Sequence, residues 1–451
     1  MASEYVNGAA FNKNCYMCFV SDHNEDSMYS YATFGTTASS DLLNCNECEM
    51  CYVCLTCTKC YQTKFSEDCS NSQNLLFCKN CVNCQDCIGC VNLKNVRYGL
   101  FNRVVSKEEY EKKLALLASR EKITEIRKKA HDFWAKFPVK YFHGLRNVDV
   151  TGDYILNSKN SKFVFDSEEL EDARYINHGH QAKTSHDSYV LVDKSERCYQ
   201  VVSGIALNNT LASYCVWHGY DIGYSDTCEN SHHLFGCVGL KKKEYCILNR
   251  EYSKEEYEAL LSQIVTQMNE LPFADTKGNT YAYGDFFPSD FCPFAYNESV
   301  AKEYEDISEA EALSKGFRWQ KEEKKKYEPT MKAETVPDTM EEVTDSITKE
   351  VIECAHKGAC NDQCTTAFKI TADELTLYRR LHVPLPTLCF NCRHSERVKL
   401  RNPRKLWFRQ CMCVLTGHEH TGPCANQFET SYAPERPEMV YCEACYQKEV
   451  S

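Results

Sequence analysis

Three cysteine pairs are the residues best suited to chemistry in this chain: Cys360-x3-Cys364, Cys389-x2-Cys392 and Cys442-x2-Cys445. Each pair offers two sulfurs from one tight turn, and two such turns facing each other complete a tetrahedral cage for zinc. The first cage is read as Cys360, Cys364, Cys389 and Cys392, with Cys354 and His356 as spare candidates. The second is read as Cys413, Cys424, Cys442 and Cys445, with Cys411, His418 and His420 competing for places in it. Four protein ligands leave no open coordination position. Two structural Zn2+ ions are therefore expected, holding together a unit too small to stabilise itself.

Between the cages run Arg393, Arg397, Lys399, Arg401, Arg404, Lys405 and Arg409, interleaved with Trp407 and Phe408 and opposed by the single acid Glu396. Guanidiniums beside stacking aromatics suit a single-stranded nucleic-acid surface. All seven cations and Trp407 are accordingly candidate nucleic-acid contacts. The competing reading is a basic face that pairs with the chain's own acidic linker. A net charge of −12 disfavours wholesale nucleic-acid binding, although it leaves room for a local basic face.

The elements that must position these groups are announced by the other cysteines. Of the 30, residues 1–110 carry 14, and two ladders there step by three: Cys45 to Cys60, and Cys78 to Cys90. A step of three drifts about 60° per residue pair on a helix and alternates faces on a strand. A chain that turns repeatedly, each small side chain pointing into a narrow interior, accounts for it better. Iron–sulfur ligation is disfavoured because both ladders lack the x3-Cys-Pro finish. Clustered soft metal remains a rival to plain apolar filling.

An internal duplication helps to decide. Cys90-Val-Asn-Leu-Lys94, Tyr98, Asn102-Arg103 and Ser106-Lys-Glu-Glu-Tyr-Glu111 recur at an offset of 147, from Cys237 to Glu258, with only Asn92 replaced, by Gly239. The second copy places Ser231, His232 and His233 where the first has its ladder, so the frame does not need cysteine, and the filler reading leads. Recurrent Tyr and Cys residues in the second copy suggest coils of about 18 to 25 residues, the length of a stacked parallel β-helix.

The expected architecture is mainly β with α: duplicated β-solenoid modules, each ended by a capped helix, and a C-terminal zinc-ribbon or treble-clef domain. Its parts are a Cys-rich module (1–105), a helix (106–137), a second module (138–252), a helix (253–271), an aromatic and charged connector (272–353) and the metal-bearing end (354–451). Ser106 with Glu109, Ser253 with Glu256 and Thr371 with Glu374 have capping-box spacing. Residues 321–350 read as a solvated linker with a short helix near 346–353.

Four stretches, 287–298, 378–386, 401–406 and 428–450, together resemble a family of Cys-rich, zinc-ribbon-ended proteins abundant in bacterial genomes assembled from environmental samples. The resemblance implies zinc at Cys364, Cys389, Cys392, Cys442 and Cys445, and it implies no activity. The leading functional expectation is a non-enzymatic zinc-binding scaffold whose basic end engages nucleic acid or a protein partner. One rival is an enzyme with a groove between the copies lined by His178, His180, His218 or His232. Another is a metal-buffering or redox protein using the ladders. The polar N-terminus and the absence of a long apolar run predict a cytoplasmic chain without a membrane span.

Overall fold

The computed structural model describes residues 3–275, 277–321, 327–360, 362–415, 417–418 and 420–450. Residues 4–100 wind into a β-solenoid in which Thr37 pairs with Glu49, Glu49 with Tyr61, and Tyr52 with Lys64, all in parallel and all twelve residues apart. Each coil is made of triplets. In Leu43-Asn44-Cys45, Leu43 bridges to Tyr31 and Leu55, Asn44 takes left-handed backbone (φ 54°) and Cys45 is buried inside. Left-handed backbone is costly for residues other than glycine. The ladder offsets it: Asn44 N donates to Tyr31 O on one side, and Leu43 N to Cys54 O on the other, both at 3.0 Å. The ladder step of three is thus the length of one side. Four such sides close a coil of twelve, shorter than the 18 to 25 expected, because no loop longer than a corner is inserted.

Inside the first solenoid the thiols have ordinary hydrogen-bond partners. Cys45 Sγ donates toward Leu43 O and Cys54 O, both at 3.5 Å, and Cys54 repeats the pattern with Tyr52 O and Thr63 O. The second solenoid fills the same positions with Ile155, Ser158, Ser161, Val164, Ser167, Leu170 and Ala173, all buried. The inward position accepts aliphatic, hydroxyl and thiol side chains alike, so the frame does not require cysteine, which agrees with the filler reading. One extra residue between Leu191 and Ser195 shifts the pairing to thirteen, with His186 opposite Tyr199.

The duplicated stretch proves to be the cap of each solenoid. Asn102 accepts from Val91 N and donates to Val91 O, both at 2.9 Å, while Asn249 does the same with Val238 at 2.8 Å. The last coil then turns back antiparallel, Leu100 against Arg103 and Ile247 against Arg250. Helices follow: α1 (Lys107–Ala115), α2 (Arg120–Trp134) and, after the second copy, α3 (Lys254–Glu270). The single helix expected over 106–137 is broken because Ser119 starts a new cap, accepting from Lys122 N. Ser253 and Glu256 form the full capping box; at Ser106 only half forms, since Glu109 pairs with Arg103 instead.

Two short helices, α4 (Ala301–Tyr304) and α5 (Glu309–Ser314), lie in the connector. Its later part is not a solvated linker throughout. Val336, Val343 and Ile347 are buried with Met28 and Tyr52 of the first solenoid and with Leu375 and Tyr378 of α6 (Ala372–Leu381). The helix expected near 346–353 is a 3-10 turn over Asp345–Lys349. Then come α7 (Phe390–Leu400) and α8 (Glu443–Val450). Among the described residues, no helix is long and apolar enough to cross a membrane.

Candidate metal centres

Two tetra-cysteine sets converge in the C-terminal region, each with its ligand atoms within 4.8 Å of one another: Cys354, Cys364, Cys389 and Cys392, and Cys411, Cys424, Cys442 and Cys445. Six of the eight expected ligands are in them. Cys354 stands where Cys360 was expected, and Cys411 where Cys413 was. Cys360 lies outside the four-sulfur set, its Sγ 3.6 Å from Cys392 Sγ, while Cys354 enters directly after the strand Ile352–Glu353. Sulfur pairs lie at 3.5 Å (Cys389–Cys392), 3.8 Å (Cys354–Cys392) and 4.0 Å (Cys424–Cys442). Tetrahedral coordination with metal–sulfur bonds of about 2.3 Å requires edges of about 3.8 Å, so both sets fit an ion.

The two sets are built alike. Cys354 and Cys411 directly follow the first strand of an antiparallel ribbon, Ile352–Glu353 with Ala367–Phe368 and Trp407–Gln410 with Gln427–Thr430. Cys364 and Cys424 each precede the second strand by three residues. Cys389 and Cys442 each stand immediately before a helix, with Cys392 and Cys445 inside its first turn. Even one hydrogen bond repeats: Cys389 N donates to Cys354 Sγ at 3.3 Å, and Cys442 N to Cys411 Sγ at 3.2 Å. The C-terminal region thus repeats one local design, which sequence reading misses because the spacings between the cysteine pairs differ.

Ionisation also favours the same position in both. Hydrogen bonds from the Cys354 and Cys392 thiols hold Cys389 far below the usual thiol range, against the cost of burial. At Cys442 burial again opposes, but hydrogen bonds from Asn426 and around Cys445 pull the thiol down to about 7. Both sit at helix N-termini, where the dipole favours a thiolate, and the thiolate is the form that binds metal.

The basic segment between the sets turns largely inward. Arg397 donates to Asp41 Oδ1 at 2.6 Å and Arg393 lies 3.2 Å from the same oxygen, with the Asp41 side chain fully buried in the first solenoid. Arg401 and Arg404 (3.1 Å) bind Asp166 of the second solenoid, which also accepts from Asn44 of the first at 2.9 Å. Arg404 stacks 3.5 Å from the Tyr304 ring centroid. Lys399 pairs with Asp362 at 2.8 Å, Arg409 donates to Tyr432 O and Ala433 O, and Lys405 lies over Trp407. Four guanidiniums that are at most 11 % exposed face carboxylates rather than solvent. Sequence reading assigned these cations outward because Asp41 and Asp166 lie more than 200 residues away and carry no motif.

The four histidines expected to line a groove are dispersed. His178 is half-buried (13 % exposed) in the Asp166 cluster and accepts from Arg404 at 2.6 Å, while His232 stacks on Tyr220 and pairs with Glu244. His218 is exposed, His180 half-buried. The seam between the solenoids is occupied by Arg401 and Arg404. Burial, assisted by Arg404 and Arg401, pushes His178 down to about 3 against the pull of Asp166. Its ordinary value is about 6.5, so the unfolded chain takes up this proton first. The resulting stability is complete above about pH 6.5 and is lost as pH falls towards 3, on the order of 5 kcal/mol in all. His178→Gln, which can still accept from Arg404, is expected to flatten that part of the stability–pH curve in denaturant titrations; an unchanged slope between pH 6.5 and 4 would refute the assignment.

Among the described residues, ligand atoms gather into metal-sized groups only in this C-terminal region and not along the ladders. Comparison with protein-family models and with curated proteins gives no match.

Proposed function

We propose that this protein is a non-enzymatic scaffold: two β-solenoids locked into one rigid body by a zinc-organised clamp. The observation that carries the reading is the economy of α7. Its first turn carries Cys392, directly after Cys389, and its next turns carry Arg393 and Arg397 to Asp41, followed by Arg401 and Arg404 at Asp166. The metal ligands and the residues that join the solenoids are thus one continuous segment. Buried thiolate tetrads suit Zn2+, a d10 ion with no geometric demand beyond the tetrahedron. None of the 30 cysteines is in a disulfide, which fits a reducing compartment such as the cytoplasm.

A scaffold needs a partner, and the reading favours protein over nucleic acid, since four of the segment's cations are already committed inside. The test is fluorescence anisotropy with single-stranded and duplex RNA and DNA probes at low salt. No saturable binding is expected at micromolar protein. Tight binding that weakens steeply with salt would overturn the choice of partner, and loss of it in Lys405→Glu/Arg409→Glu would locate the surface.

A further inference from the structure

Each tetrad has a second set of ligands beside it that shares its last cysteine. Cys413, His418, His420 and Cys445 have their ligand atoms within 4.8 Å of one another, and so do His356, Cys360 and Cys392. The two sets correspond position by position. His356 and Cys413 stand two residues after the first ligand of their tetrads. Cys360 and His420 stand four residues before the second. The donors have exchanged type, imidazole for thiolate and thiolate for imidazole, while both kinds remain competent for the same ions. Such an exchange preserves metal chemistry and nothing else, since packing volume and polarity differ at both places.

The geometry around the second tetrad is that of a cluster. Cys445 Sγ lies 3.4 Å from His420 Nε2, and Cys413 Sγ 3.3 Å from His418 Nδ1. Cys413 and Cys445 are buried and the histidines partly so. Cys360 Sγ likewise lies 3.6 Å from Cys392 Sγ, and His356 Nδ1 is buried without a hydrogen-bond partner. Charge argues the same way. One divalent ion in four thiolates leaves two net negative charges in a thin core. Two ions sharing Cys445 among five thiolates and two neutral imidazoles leave one.

We propose that Cys445 is a bridging thiolate and that Cys413, His418, His420 and Cys445 bind a third zinc ion, making the second centre binuclear. This rests on the tetrads being zinc sites. In the first centre the same position has, among the described residues, only His356, Cys360 and the shared Cys392. It lacks the counterpart of His418, so an ion there keeps an open coordination place and is held more weakly.

The test is metal stoichiometry of the full chain by native mass spectrometry after dialysis against zinc-free buffer. Three zinc ions per chain are expected, and two in His418→Ala/His420→Ala with the circular dichroism spectrum unchanged. Two in both proteins would overturn the bridging site and leave the tetrads standing; fewer than two in the unaltered chain would overturn the tetrads themselves. Cadmium-113 NMR of the unaltered chain decides the matter if the variant does not fold. Two resonances split by mutual coupling through the shared sulfur are expected, and uncoupled signals alone would refute the bridge.

Discussion

Stripping the metal from the purified protein is expected to unfold residues 407–450 while leaving both solenoids intact. Structural zinc sites contribute about 10–16 kcal/mol of apparent binding free energy, as much as the whole stability of a typical domain. The second centre has a smaller apolar cluster of its own than the first, and it is tied to the rest of the chain by a short strand pair, Val440–Tyr441 with Val139–Lys140, and by polar contacts such as Asn80 with Tyr446. Its buried cluster is Cys411, Cys413, Cys424, Cys442 and Cys445 with Tyr441 and Tyr446, and Phe428, Met439 and Val450 pack against it half-buried. The first centre is better supported, because α6 and the strands beside it bury Ile352, Ile370, Leu375, Leu377, Tyr378 and Leu381 against the first solenoid. Cys442→Ser should therefore destroy amide protection in 407–450, whereas Cys389→Ser should weaken protection around α7 without erasing that of α6. Hydrogen exchange read by mass spectrometry, before and after a strong chelator, checks both. Unchanged protection in 407–450 on full metal removal would refute the structural role of the ion.

How much of this was legible in the sequence depends on whether the signal was local. The cysteine ladders, with a step of three, marked a repeatedly turning chain because each side of the coil there is three residues long and one residue of the three points inward. The offset of 147 was equally legible, and the structure supplies its reason: Asn102 and Asn249 each clasp the backbone of the coil below, a task few other side chains perform with one acceptor and one donor. Read from alternate members of the Tyr and Cys series, such as Tyr175 and Tyr199, the coil comes out twice its length, because those residues lie about two coils apart. The ligand sets were legible only in part. Spacing identifies Cys389–Cys392 and Cys442–Cys445, the pairs made by a helix start, but the opposite halves come from strand ends, where Cys354 and Cys411 join their sets from positions that no Cys-x2-Cys rule marks.

The buried charges were the least legible, and they carry the second large effect. Asp41 sits with a fully buried side chain and neutralises Arg393 and Arg397, themselves 8 % and 3 % exposed. Ser40 Oγ donates to its other oxygen at 3.1 Å. Asp41→Asn keeps the shape and removes the charge, leaving two guanidiniums in the interior with Glu374, 3.7 Å from Arg393, as the remaining carboxylate. Breaking a buried ion pair from one side costs about 3–5 kcal/mol, because the abandoned charge stays desolvated. The variant is expected to lose about that much in denaturant titrations. The loss should appear as α7 leaving the solenoid rather than as collapse of the coils, whose hydrogen bonds do not pass through Asp41's carboxylate. Removing charges from both sides tests the physical cause. Asp41→Leu/Arg397→Met leaves Arg393 to Glu374 and should recover a large part of the loss, since apolar pairs of similar volume commonly replace buried ions at little cost. If the single variant is as stable as the parent, or the double variant is worse than the single, Asp41 is not the anchor that joins the metal-bearing helix to the first solenoid.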